Sequence, residues 1–429
     1  VAALACLALA CLVCLFAPAG LLGASPSAAA TAAPAPWSKP AFVGEGGEEP
    51  EVVLTGEGGA AAVWGADVDD GLVVEGAVRV GGQWKPAAQL ATEALEPSVA
   101  ASAEGAIAVW AGPHGIEAAR TTPAGAWKPL PTIPHTSRET RAPEIATDAA
   151  GRATVVWRQP GPAHATIDVA TRTPGGSWSA PKRLSRPGGV AYSPHVAVDP
   201  DGAAAVVWRR YDGERSIVQA ATRTARGRWS AAANLSAKGE NAVAPDVAID
   251  PAGEAVAVWH RFDGAHQIVQ VSVRPPHGGW SRPVDLSAKG RNGEQPQVAL
   301  TPAGEAVVTW ARFDGRVERI QAVTRSPGGH WSSPRNLSGA GGSSHEPKLA
   351  IDGEGVARVV WEATVRDGVA VEEASRPAGG GWSAPLRLGG GTSGFGTEPT
   401  IAAAPDGEAV ALWNGEGLLA AFRAAPPAP

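Results

Sequence analysis

Residues 194–210 read PHVAVDPDGAAAVVWRR, and residues 245–261 read PDVAIDPAGEAVAVWHR. The tryptophan closing this run recurs at Trp64, Trp110, Trp157, Trp208, Trp259, Trp310, Trp361 and Trp413, in steps of 46, 47, 51, 51, 51, 51 and 52 residues. A period of this length restricts the 429-residue chain to repeat architectures, in which each unit buries its apolar surface against its neighbours. A second series, Trp84, Trp127, Trp178, Trp229, Trp280, Trp331 and Trp382, follows the first by 17 to 21 residues, mostly within G-G-x-W-S-x-P.

Each unit holds four short strand-like runs, for example PHVAV, AAAVVW, IVQAATR and WSAAANLS, separated by the turn sequences DPDG, RYDG and ARG. The AAAVVW run is apolar at successive positions, which means that both of its faces are buried. A four-stranded antiparallel sheet covered on both faces by copies of itself is a propeller blade. Gly and Pro punctuation every 8 to 12 residues excludes paired helices. The expected fold is therefore an all-β, eight-bladed β-propeller spanning residues 36–429. The last unit lacks its second tryptophan, and Trp37, in PWSKP, is the one left over. The N-terminal strand is thus expected to complete the last blade and to seal its open edge. All sixteen tryptophans then fall two to a blade, with packing between blades as their role and a stacking platform for sugars as the alternative.

The chain opens VAALACLALACLVCLFAPAGLLGA, followed by small residues, which reads as a signal peptide and linker over residues 1–35, cut between Ala24 and Ala35. A lipid on Cys6 or Cys11, or an uncleaved anchor, is the alternative. Cys6, Cys11 and Cys14 are the only cysteines, so disulfides cannot staple the mature fold. The expected location is secreted, or at the cell surface, with no membrane span in the mature chain. A net charge of -6 and a pI near 5.9 argue against a nucleic-acid partner.

Arginine recurs where the third run ends, at Arg79, Arg120, Arg172, Arg223, Arg274, Arg325, Arg376 and Arg423. Where a second tryptophan follows, the spacing is 5 to 7 residues, which suits guanidinium packing on an indole or bonding to turn carbonyls. An eightfold carbohydrate site is the alternative. Asp148, Asp199, Asp250 and Asp352, replaced elsewhere by Thr55, Ser102, Thr301 or Ala404, suit an interchangeable turn cap.

Asymmetry points to function more directly. Only blades four, five and six carry Arg-aromatic-Asp-Gly between the second and third runs: Arg210, Tyr211 and Asp212; Arg261, Phe262 and Asp263; Arg312, Phe313 and Asp314. That hairpin shares a face with the polar links between blades, and an aromatic plane beside Arg and Asp can grip a sugar or a peptide. The plainer alternative has Asp-Gly making the turn while Arg pairs with that Asp. His260, His266, His277, His330 and His345 lack ligand spacing, and no Ser stands in a G-x-S-x-G elbow, so no metal or other cofactor is expected.

The unit P-x-V-A-x-D-x-x-G-x-A-x-x-V-W, followed by G-G-x-W-S-x-P-x-x-L-S, resembles secreted bacterial β-propeller repeat proteins, grouped loosely with sialidase-like or bacterial-neuraminidase-repeat propellers. The resemblance covers nearly the whole mature chain and implies a sialidase activity to be tested. The sialidase Asp-box has the form S-x-D-x-G-x-x-W. Here Asp199 lies three residues before Gly202, and Gly202 six before Trp208, so the box does not match. No Arg-Ile-Pro occurs, and the two tyrosines, Tyr192 and Tyr211, fall in expected loops without a coupled Glu. The functions implied, in order, are a monomeric non-catalytic binding scaffold for an extracellular protein or glycan, a lectin-like propeller, and a sialidase-type glycoside hydrolase.

Overall fold

The computed structural model describes residues 36–426 apart from 69–70, 104, 162–163, 187, 238, 328 and 392–396. The expected signal segment lies outside the described residues. All described regular structure is β, in eight separate antiparallel sheets. The innermost strands are Glu48–Gly56, Leu95–Ser102, Arg141–Thr147, Val190–Val198, Asn241–Ile249, Gly293–Leu300, Ser344–Ile351 and Thr400–Ala403. Each touches the inner strand of both neighbouring blades, and the eighth touches the first, so the ring is closed.

The consecutive apolar residues of each second strand now have a cause. In blade four, Val206 and Trp208 face blade three, packing with Val156, Ile167 and Val169. Their neighbours Ala205 and Val207 face blade five, packing around Trp259. Eight such clusters fill the eight seams. The first-series tryptophans are their largest members, all 0 to 3% exposed. Burial of this many large aromatics in shared clusters makes each blade depend on the next.

Blade eight is built as the chain ends require. Its sheet consists of Thr400–Ala403, Ala409–Gly415 and Gly417–Arg423, with Ala41–Gly44 as the outer strand. Trp37 bridges Arg423 just as Trp178, Trp229 and Trp331 bridge Arg172, Arg223 and Arg325 in their own blades. The leftover tryptophan therefore takes the vacant second-series place.

Three local features differ from the sequence reading. The outer strands of blades three to six shrink to two residues, such as Lys182–Arg183 and Ala233–Asn234. Ahead of them a serine side chain takes over one of two ladder bonds: Ser179, Ser230, Ser281 and Ser332 N still donate to third-strand carbonyls at 2.8 Å, while their Oγ accept third-strand N–H groups at 3.0–3.1 Å. Both tyrosines lie in strands rather than loops, Tyr192 within Val190–Val198 and Tyr211 at the end of Ala204–Tyr211. In blade two it is Thr121, not Arg120, that pairs with Trp127, because its shorter hairpin moves the register by one residue.

Every inner strand also carries an irregularity before a proline, which in blade eight falls just ahead of the strand. Glu49, Glu96, Ala142, Ser193, Ala244, Gln295, Glu346 and Glu398 all have φ between 40° and 54°. This is unfavourable for a residue with a β-carbon and more so ahead of proline. Seven of the eight strands break register there as a bulge. The bulge lets the inner strands bond from blade to blade. Glu49 N donates to Glu398 Oε2 at 2.8 Å, Ala142 N to Glu96 Oε2 at 2.7 Å, and Glu346 N to Gln295 Oε1 at 3.2 Å. One step deeper, Val99, Val196 and Val298 N donate to Glu51, Glu144 and Asp246 of the preceding blade at 2.8, 3.1 and 2.8 Å.

Candidate binding face

The hairpins between second and third strands share a face with the links between blades. In blades four to six, the Asp of the Arg-aromatic-Asp-Gly sequence folds the hairpin. Asp212 Oδ1 accepts from Glu214 N and Arg215 N at 3.1 and 2.9 Å, and Asp263 Oδ1 from Ala265 N and His266 N at 2.9 and 2.8 Å. Asp314 Oδ1 accepts from Arg316 N and Val317 N at 2.9 and 3.0 Å, and its Oδ2 takes Arg319 Nε at 2.6 Å. Backbone N–H groups bound to the charged form hold all three carboxyls below the usual carboxylate range.

The arginines do not pair with these aspartates; each reaches the link that leads into its own blade. Arg210 Nη2 donates to Gly188 O at 2.8 Å, and Arg312 Nη1 to Ala288 O at 2.7 Å. Arg261 lies 3.3 Å from Glu240, in the corresponding link, and 3.4 Å from Asp285. Arg and Asp therefore brace the hairpin, and the ring between them stays out. Tyr211, Phe262 and Phe313 are 37, 38 and 41% exposed. The other five blades place Asp67, Pro113, Pro160, Thr364 and Glu416 at that position.

Toward the axis, the residue after each first-series tryptophan also breaks symmetry. Glu362 Oε2 accepts Thr397 N at 2.6 Å, and Asn414 bonds Gly47, each fastening the following blade. Arg158 and Arg209 instead stand over the ring of Tyr192, 5.1 and 5.2 Å from its centroid. A third set was missed in the sequence, although its signal is there. After each inner-strand proline stands a polar residue or Thr: Glu51, Ser98, Glu144, His195, Asp246, Gln297, Lys348 and Thr400. They ring the channel, where His195 Nδ1 lies 3.1 Å from Glu144 Oε2. Burial pushes the Glu51 carboxyl up to about 7, and raises Glu144 and Asp246 as well.

The repeated arginines lie toward the opposite face, where Arg79, Arg223, Arg325 and Arg376 hold turns or neighbouring blades. Arg325 meets Glu254 of blade five at 2.6 Å, and Arg376 grips Glu305 of blade six through two bonds of 2.9 and 2.8 Å. Arg223 Nε donates to Gly202 O at 3.1 Å with its guanidinium 5.5 Å from the Trp229 ring, and Arg79 stands 3.8 Å from the Phe422 ring. Arg172 and Arg423 bridge their tryptophans, and Arg274 pairs with Ala255 in its ladder. Arg120, displaced by one register step, only reaches Thr121 O at 3.5 Å. Asp148, Asp199, Asp250 and Asp352 Oδ1 cap their turns at 2.7–2.8 Å.

A cleft of about 630 Å³ opens between blades one and two beside Leu90, Trp110, Glu117 and Trp127. Its carboxylate is already bound, by Trp110 Nε1 at 3.2 Å and His114 N at 3.3 Å. Among the described residues no three His, Cys, Asp or Glu are grouped to hold a metal ion, and no helix is long and apolar enough to cross a membrane.

No protein-family model matches the chain, and no curated protein does. Solved structures do. An ulvan lyase of polysaccharide lyase family PL25, bound to -[GlcA(1-4)Rha3S]-, superposes with a TM-score of 0.51 at 10% identity, over 75% of this chain and 90% of the lyase. The same kind of lyase without that ligand gives 0.51 at 11% identity, with coverage of 75% and 90%. The likeness is one of fold.

Proposed function

We propose that the protein is a non-catalytic scaffold that binds an extended polysaccharide across the hairpins of blades four to six. One observation carries this reading: Arg and Asp of each triplet brace the hairpin, while Tyr211, Phe262 and Phe313 are left exposed on three consecutive blades. Exposed rings in a row offer apolar planes to the C–H faces of successive sugars. The polysaccharide substrate of the structurally similar lyase suits the same choice of ligand. The repeated arginines favour this reading over an eightfold lectin, since the guanidiniums of Arg79, Arg223, Arg325 and Arg376 are engaged with turns, carboxylates and rings. The reading places the protein outside the cell, in keeping with the apolar run at its N-terminus.

The test is binding to a panel of soluble polysaccharides by affinity electrophoresis. Replacing Tyr211, Phe262 and Phe313 together by Ala should weaken binding at least tenfold. Stability should change by only about 0.5 kcal/mol per site, as is usual for surface positions. A folded triple variant that binds as the parent does would refute the proposal.

A further inference from the structure

The face that carries the three rings is divided by charge. In the sector of blades four to six, Arg186, Arg215, Lys289, Arg291 and Arg316 stand exposed on links and hairpins. None of these five forms an ion pair among the described residues. Most acids of the same sector are occupied: Asp212, Asp263 and Asp314 by backbone N–H groups, Glu240 and Asp285 by Arg261, and Glu318 by His345 at 2.5 Å, which leaves exposed Glu214 and half-buried Glu294 against the five cations. Arg158 of blade three and Arg209 of blade four, beside Tyr192, add two more cations without a carboxylate partner among the described residues at the inner edge of the sector.

The other half of the face is predominantly of the opposite sign. Glu45, Glu48, Asp67, Asp367 and Glu416 are exposed on its links and hairpins, and Glu93 pairs with Arg138 at 3.1 Å, against a single further exposed cation on a hairpin, Arg366. At the channel mouth, Glu49, Glu96, Glu346 and Glu398 occupy the equivalent pre-proline positions of blades one, two, seven and eight. Burial chiefly, and then repulsion from neighbouring carboxylates, Glu96 for Glu49 and Glu362 for Glu346, raises Glu49 and Glu346. An overall charge of -6 thus conceals a cationic sector and an anionic one side by side. Free cations attract a polyanion over a range of about 10 Å at ordinary salt, and the acidic half repels it over the same range.

We propose that the ligand is an acidic polysaccharide, bearing carboxylate or sulfate groups, and that it lies along blades four to six without crossing the channel mouth. This rests on the reading of the face as a polysaccharide site and adds the chemistry and the path of the chain. Sugar faces stack on Tyr211, Phe262 and Phe313 while the acid groups meet the flanking guanidiniums, whose planar fork suits carboxylate and sulfate oxygens alike.

The experiment compares polygalacturonate, dextran sulfate and neutral dextran at about 0.05 M and about 0.5 M salt. Three proteins are used: the parent, the triple aromatic-to-Ala variant, and a variant with Arg215→Glu, Lys289→Glu and Arg316→Glu. At low salt, at least one acidic chain should bind tenfold or more tightly than neutral dextran, and should weaken at least tenfold at high salt. The carboxylate and sulfate arms tell which acid group is preferred. Charge reversal should abolish acidic binding while the melting temperature stays within a few degrees of the parent, since all three side chains are exposed and without ion pairs. Equal, salt-independent binding of neutral dextran, lost in the aromatic variant, would overturn the acidic assignment and leave the face standing. Acidic binding unaffected by the aromatic variant would overturn the face itself. Tighter binding of a single-stranded DNA oligomer than of either acidic chain would also overturn the proposal.

Discussion

Tryptophans that look interchangeable in the repeat are not equivalent in their bonding. Trp208 Nε1 donates to Gln219 Oε1 at 3.1 Å, and Gln219 Nε2 donates on to Asn234 Oδ1 at 2.7 Å. Trp310 Nε1 is buried with no acceptor, although Gln321 and Asn336 keep their own bond at 2.8 Å. Trp208→Phe should therefore cost about 1 kcal/mol more than Trp310→Phe in urea unfolding, because only the former leaves a buried amide oxygen without its donor. Glu51 provides a second residue-scale test. Its folded value of about 7 lies above the ordinary 4.5, so the folded protein keeps a proton that the unfolded chain gives up between those values. The associated stability is complete below pH 4.5 and is lost as pH rises through 7. Glu51→Gln should thus match the parent near pH 5 and exceed it by about 2 kcal/mol at pH 8, as read by denaturant titration at both pH values. His260, which burial lowers to about 4, acts in the opposite direction and is common to both proteins. The tryptophan period was fully legible in the sequence because an indole has few substitutes in a seam. The channel ring was not, since its signal is only polarity after a proline, in residues as unlike as Ser98, His195 and Lys348.

At the scale of the strand, the turn chemistry of the hairpins could be read in advance, whereas the partners of their arginines could not. Asp-Gly specifies its own turn locally, but Arg210 and Arg312 end on carbonyls 22 and 24 residues away, which only the folded links bring near. Outer strands were overestimated for a related reason: a serine side chain can replace a ladder bond, and alternation of residue types does not reveal that exchange. The pre-proline bulges are the strained part of each inner strand, and Ala244, at φ 48°, isolates the backbone cost without side-chain bonding. Ala244→Gly should be close to neutral, since glycine adopts this conformation freely but also gains freedom when unfolded. Ala244→Val should destabilise by about 1 to 3 kcal/mol, because a β-branched residue fits positive φ poorly. Chemical denaturation of the two variants checks the sign and the order.

For the whole molecule, closure was readable from one surplus tryptophan and one missing one, residues more than 340 positions apart. Removing residues 36–44 should leave Gly417–Arg423 as an unpaired edge in blade eight and bare the seam around Val43 and Leu418. The expected result is a broadened thermal transition with light scattering that grows with concentration; a sharp, monomeric transition like that of the parent would refute this role. The same seam sets how the disc answers force. Trp37 lies opposite Arg423, Ser38 N donates to Phe422 O at 2.6 Å, and Ala41 lies opposite Ala420, so both segments leave the ring at the same end of one antiparallel pair. Tension applied at residues 37 and 423 would load these bonds one after another, as in a zipper, rather than together in shear. A tether at both ends would make blade eight a mechanical fuse that yields early and relieves the other seven, visible in optical-trap pulling as a small first extension at low force.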